Sequence, residues 1–207
     1  MRISSLKSHS IRVPFYRRHL PHLYEIGKPL FLTWRLYGSL PSNRAFPETV
    51  LTSGQAFITL DRLLDEGRTG PLYLRIPEIA RTVIESIEYH AAVLKRYDMH
   101  AFVVMPNHVH LLLTPQVVLP RLTRTLKSFT AKRANQALGL TGRPFWQEES
   151  YDRLVRNQKE FDRIAYYIEQ NPVRAGLVKD ASDYPWSSAG RVANSLVGRP
   201  PGEQPVA

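Results

Sequence analysis

The stretch FVVMPNHVHLLLTP, residues 102–115, sets two histidines one residue apart inside an apolar run. Side chains alternate across an extended strand, so His108, His110 and Leu112 share one face while Val109, Leu111 and Leu113 share the other. The second trio can pack against helices. The two imidazoles then stand side by side on the opposite face, ~7 Å apart along the backbone. Neutral imidazole is a good ligand for divalent metals. A half-buried, hydrogen-bonded histidine is the plainer reading of either residue alone, and zinc hydrolases use the same spacing, so the partner residues decide.

The partners lie downstream, in DRIAYYIEQNP. Phe161, Ile164, Ala165 and Ile168 form the apolar stripe of a helix, which puts Tyr167 and Asn171 together on its flank and turns Tyr166 away. A phenol oxygen can act as a nucleophile and an amide oxygen as a hard metal ligand. Helix-flank packing for Tyr167 and a C-terminal cap for Asn171 are the plainer alternatives.

The elements that must position these groups can be read along the chain. PLFLTWRLYGSLP alternates apolar and polar residues as a strand does, and QAFITLDRLLDEG fits a short helix stopped at Gly67. In PEIARTVIESIEYHAAVLKRY, Pro77 suits a first helical turn and Ile79, Val83, Ile87 and Leu94 supply the stripe. Pro106 and Asn107 separate two apolar runs as a tight antiparallel connection. LPRLTRTLKSFTAKRANQAL is an amphipathic helix, with Leu122, Leu126 and Phe129 on one side and Arg121, Arg124 and Lys132 on another. KEFDRIAYYIEQ is a helix expected to end near Asn171-Pro172, because a residue before proline avoids the helical region. The order strand, helix, strand, strand, helix predicts an α+β, ferredoxin-like two-layer sandwich, an antiparallel sheet with helices on one face. Residues 1–22 read as a basic arm, 23–190 as a single domain and 191–207 as a disordered tail.

The chain has 207 residues, enough for one good core. Its 28 Lys+Arg against 18 Asp+Glu give a formal charge of +10, which points to a polyanionic partner. The charge is clustered. No carboxylate precedes Glu25, and none lies between Asp98 and Glu148, where Arg121, Arg124, Lys127, Lys132, Arg133 and Arg143 all fall. Cysteine is absent, which excludes disulfides, thiolate metal sites and thiol nucleophiles. No run approaches the ~20 apolar residues of a membrane span, so a cytoplasmic, nucleoid-associated protein is expected.

The combination of VVMPNHVHLLLTP, a basic helix, FWQEESYDRLVRN, YIEQNPVRAGLV and YPWSS resembles the REP-associated tyrosine transposases, within the single-tyrosine, His-hydrophobic-His transposases. The likeness runs from about RRHLPHLYEIGKPLFLTWRLYGSLP to Ser188. It implies a metal-binding pair at His108 and His110, with Mg²⁺ or Mn²⁺ as the ion, and Tyr167 as the attacking residue. Asn171 stands where insertion-sequence relatives often carry a metal-binding glutamine, with a reach shorter by one methylene. The implied activity is nicking and joining of single-stranded DNA at hairpins of repetitive extragenic palindromes through a 5′-phosphotyrosine. Arg121, Arg124, Lys127, Lys132 and Arg133 would neutralise backbone phosphates, and Arg12, Arg17 and Arg18 would read the hairpin's flank. Relatives include helix-exchanging dimers and monomers, and a monomer is the expectation here. A hydrolytic metal nuclease, a hairpin-binding protein without chemistry and an RNA-processing factor are the rival readings.

Overall fold

The computed structural model describes residues 15–17, 21–40, 61–66 and 69–191; Arg12, Arg18 and the tail from residue 192 lie outside them, as does Gly67. For Arg17 only the backbone is described. It ends β1 (Phe15–Arg17), which pairs antiparallel with β2 (Pro21–Leu23), so the end of the basic arm carries a small hairpin.

The core is a four-stranded sheet of β3 (Leu30–Arg35), β4 (Tyr97–Val104), β5 (His108–Pro115) and β6 (Tyr151–Leu154), all antiparallel in the order β4-β5-β3-β6. The helices are α1 (residues 61–66), α2 (Pro77–Ala92), α3 (Leu119–Ala137) and α4 (Gln158–Arg174). Alternation along the strands divides the apolar side chains into two layers. Leu30, Leu32 and Trp34 of β3 and Val109, Leu111 and Leu113 of β5 join Ile79, Val83 and Ile87 of α2 and Leu122 and Leu126 of α3 in one core. Phe31, Ala101, Val103 and Leu112 point the other way and pack with Ile164 and Ile168 of α4.

The α+β class and the antiparallel sheet match the expectation from sequence. Helices on one face do not, because α4 covers the second face. Phe31, Val103 and Leu112 explain why: together they make that side of the sheet too apolar to leave in water. Two smaller differences also have local causes. α4 runs through Pro172 to Arg174 rather than stopping at Asn171. Proline so near a helix end forfeits one backbone hydrogen bond, and the turn is closed beyond it by Ala175 N–H donating to Asn171 C=O and Leu177 N–H to Pro172 C=O, each 2.9 Å. Phe129 is exposed, since α3 turns Thr130 and Ala134 to the core instead.

The exposed edge of β4 is covered by the YPWSS segment. Ser187 pairs with Val103, Val104 N–H donates to Trp186 C=O at 2.8 Å, and the Tyr184 hydroxyl donates to Val104 C=O at 2.9 Å.

Candidate metal and tyrosine site

His108 and His110 project from β5 toward the α4 layer, as their parity requires, and both are completely buried. Each is oriented by a neighbour through its Nδ1. The Asn107 amide oxygen accepts from His108 Nδ1 at 2.7 Å, while the Asn107 amide nitrogen donates to Leu64 C=O at 2.9 Å, tying α1 to the start of β5. His110 Nδ1 meets the Thr33 hydroxyl at 2.8 Å, an arrangement fixed by the Thr33–His110 register of β3 against β5. Such contacts set the ring orientation and leave Nε2 to face inward. The two Nε2 atoms lie 3.1 Å apart.

Asp61, from α1, completes the group. Its Oδ1 is 2.9 Å from His110 Nε2 and 3.6 Å from His108 Nε2, and Asn171 Nδ2 donates to its Oδ2 at 3.3 Å. Ligand-type atoms of Asp61, His108 and His110 all fall within 4.8 Å of one another. Asp65, one turn further along α1, brings its Oδ1 to 3.9 Å from His108 Nε2.

The electrostatics follow from burial. Loss of water, with His110 alongside, pushes His108 down to about 3, so its ring is neutral and available as a ligand. Burial raises Asp61, but His110, His108 and the Asn171 amide more than offset this and hold its carboxyl below the usual range. Burial and the nearby Asp61 push Asp65 up to about 7. Electron-rich nitrogen and oxygen atoms thus converge on one point where only a proton or a cation can balance them. The donor set fits a divalent ion, and the fit has an independent mark: Asn171 Oδ1 is buried and accepts no hydrogen bond.

Tyr167, half-buried, places its ring 5.9 Å from that of His110 and 6.4 Å from Phe31 in an edge-on arrangement. The Arg174 guanidinium lies over the phenol ring at 4.6 Å. Tyr166 is exposed on the other side of α4.

Of the residues expected from sequence, His108, His110, Tyr167 and Asn171 therefore come together. The cations of α3 do not join them, because α3 packs on the opposite sheet face. Lys127 is engaged in its own way, donating to the carbonyls of Gln147 and Glu148 at 2.7 Å each. Asp61, Asp65, Thr33, Asn107 and Arg174 were missed. The available signal was weak: Asp61 and the buried Leu64 lie three residues apart on one face of a short helix, an acid where an apolar residue is ordinarily found. Trp146 is nearly buried and Tyr151 packs against Phe31, so both serve the core.

Together these features define the class: an α+β domain in which a buried two-histidine, one-carboxylate group faces a helix-borne tyrosine. Residues 75–171 match the family model described as Transposase IS200 like. The matched segment contains His108, His110, Tyr167 and Asn171, whereas Asp61 precedes it. Over 104 residues the chain is 34% identical to the REP-associated tyrosine transposase of Escherichia coli (strain K12). That match covers 48% of this chain and 59% of the relative, so the chain spans about three fifths of the relative's length. A solved structure of a REP-associated tyrosine transposase bound to a REP hairpin superposes with a TM-score of 0.47 at 24% identity, covering 93% of this chain and 98% of that one. Among the described residues no helix is long and apolar enough to cross a membrane.

Proposed function

We propose that the chain is a metal-dependent tyrosine transposase that nicks and rejoins single-stranded DNA at REP-like hairpins. The observation that carries this reading is the meeting of Tyr167 with His110, 5.9 Å between ring centres, beside the buried Asp61–His108–His110 group. The family match over residues 75–171 supports it.

His108 Nε2, His110 Nε2, Asp61 and the free Asn171 Oδ1 would hold Mg²⁺ or Mn²⁺. When bound, such an ion grips and polarises a phosphate. The chain's own residues do the rest. Thr33 and Asn107 hold the imidazoles in place through their Nδ1 atoms. The Arg174 guanidinium, 4.6 Å from the centre of the phenol ring, holds that ring in place through its face. Tyr167 Oη attacks the scissile phosphorus in line, an O–P bond to tyrosine forms, and the bond from phosphorus to the 3′ oxygen breaks. The phenol proton leaves to solvent, and the departing 3′ oxygen takes one up. The products are a 5′-phosphotyrosine and a 3′-hydroxyl. One ester replaces another, so the same atoms can run the step backward and rejoin a strand without ATP.

Arg121, Arg124, Lys132 and Arg133 of α3 would contact flanking phosphates rather than the scissile one, and Arg12, Arg17 and Arg18 would contact the hairpin's flank. The test is incubation of the full chain with a single-stranded hairpin DNA and Mn²⁺, followed by a denaturing gel. A slow-migrating covalent adduct that Tyr167→Phe abolishes is expected. Cleavage with no adduct would establish a hydrolytic nuclease instead, and hairpin binding with neither cleavage nor adduct would leave a binding protein.

A further inference from the structure

The residues of β3 alternate between the two layers, and Phe31 and Thr33 face the site. Thr33 meets His110 Nδ1 at 2.8 Å, and the Phe31 ring lies 5.5 Å from that of His110. Trp34 and Leu36 belong to the other core. Arg35, two positions beyond Thr33, therefore shares the site face, and its Cα is paired with that of His108 on β5. Paired Cα atoms in an antiparallel sheet lie about 5 Å apart, so the arginine stem starts beside His108.

The end of β3 is pinned from both sides. Leu36 N–H donates to Asn107 C=O at 2.8 Å, and Gln147 N–H donates to Arg35 C=O at 2.9 Å. The guanidinium is held more lightly. Its Nη1 donates to the Ser39 hydroxyl at 3.3 Å, and that hydroxyl is oriented by its own donation to Leu36 C=O at 2.8 Å. Among the described residues Arg35 pairs with no carboxylate, although burial disfavours its charge. An arginine presents five N–H donors in a rigid fork suited to phosphate. Here the fork stands half-buried, next to histidines that are wholly buried. His108, pushed down to about 3, adds no positive charge of its own.

We propose that Arg35 is a catalytic residue that grips a non-bridging oxygen of the scissile phosphate. The inference rests on the transposase reading above and adds a residue to its chemistry. As Tyr167 Oη bonds to phosphorus and the bond to the 3′ oxygen breaks, the non-bridging oxygens gain negative charge. Arg35 N–H groups donate to them and keep their protons. A fixed cation aimed where charge develops lowers the barrier more than it tightens ground-state binding.

The probe is a single-stranded hairpin DNA cut by the wild-type chain with Mn²⁺, carrying either the natural phosphate or a neutral methylphosphonate at the scissile position. Arg35→Ala should slow adduct formation about 100-fold on the phosphate. Arg35→Lys keeps the charge without the fork and should slow it about 10-fold. On the methylphosphonate, which has one charged oxygen fewer to stabilise, wild type and Arg35→Ala should agree within about threefold. The Mn²⁺-dependent Tm gain should be the same in both variants as in wild type. A loss that persists in full on the methylphosphonate would mark a merely structural arginine and overturn the proposal, as would an unchanged rate on the phosphate.

A second measurement needs no cleavage. Sulfate, tetrahedral and anionic like phosphate, should raise the Tm of Mn²⁺-loaded wild type above a chloride control of equal ionic strength, and by less in Arg35→Ala. Arg81→Ala, which removes an exposed cation on α2, should behave as wild type. Equal sulfate gains in all three proteins would overturn the anion site. Failure of the transposase reading is separately visible: wild type then forms no adduct, while the sulfate difference at Arg35 persists.

Discussion

Replacing Asp61 by asparagine separates the electrostatics of the site from its packing. The amide keeps the carboxylate's shape and leaves Leu64 and the rest of α1 untouched. Without metal, the substitution removes a buried negative charge but mismatches one hydrogen bond, to His110 or to Asn171, for a net cost of about 1–2 kcal/mol. With metal the balance is different, because the Asp61 carboxylate lies 2.9 Å from His110 Nε2. Removing one partner of a buried ionic group costs about 3–5 kcal/mol, so Mn²⁺ affinity should fall at least ~150-fold. Thermal melts read this directly. At Mn²⁺ about 100 times the wild-type Kd, wild type gains about 2.7 kcal/mol, or roughly 5–10 °C for a chain of this size. The variant at the same concentration gains about 0.3 kcal/mol, close to 1 °C. A variant that keeps the full Mn²⁺-dependent rise would refute the ligand assignment of Asp61.

Two further outcomes are expected. Arg174→Leu removes the cation over the Tyr167 ring, and the initial rate of adduct formation should drop about fivefold at neutral pH, the equivalent of ~1 kcal/mol, while the Mn²⁺-dependent Tm gain is unchanged. Glu160→Ala strips the first turn of α4: Glu160 accepts from Arg156 N–H at 3.0 Å and pairs with Arg153, and its own N–H is capped by Asn157 at 2.9 Å. Only the side-chain contacts are lost, at about 2 kcal/mol, so calorimetry should show Tm lower by roughly 4–8 °C.

The parts of the site that sequence disclosed are those governed by short-range geometry. A period of two fixes His108 and His110 on one face of β5, and a period near four brings Tyr167 and Asn171 onto one flank of α4. Both relations need only the identity of the element. That α4 would lie over the histidines could be inferred only through a resemblance, since no local pattern says which face of a sheet a helix covers. Phe31, Val103 and Leu112 carried the information, but in strands buried on both sides the alternation of polar and apolar residues is lost. Asp61 is the clearest omission. It is 110 residues from Asn171, its hydrogen-bond partner, and nothing in QAFITLDRLLDEG specifies contact with a strand 47 residues away. Pro172 misled for a related reason. The rule that proline ends a helix is local, and here the following turn supplied replacement bonds.

The sequence span of the Asp61–Asn171 contact bears on how the protein is made. On a ribosome adding ~5–20 residues per second, Asp61 emerges roughly 6–20 s before Asn171 and Tyr167. Until α4 emerges, the imidazoles of β5 have no covering helix and no tyrosine beside them. A chain truncated between β5 and α4 therefore carries the two imidazoles but neither Tyr167 nor the helix that covers them.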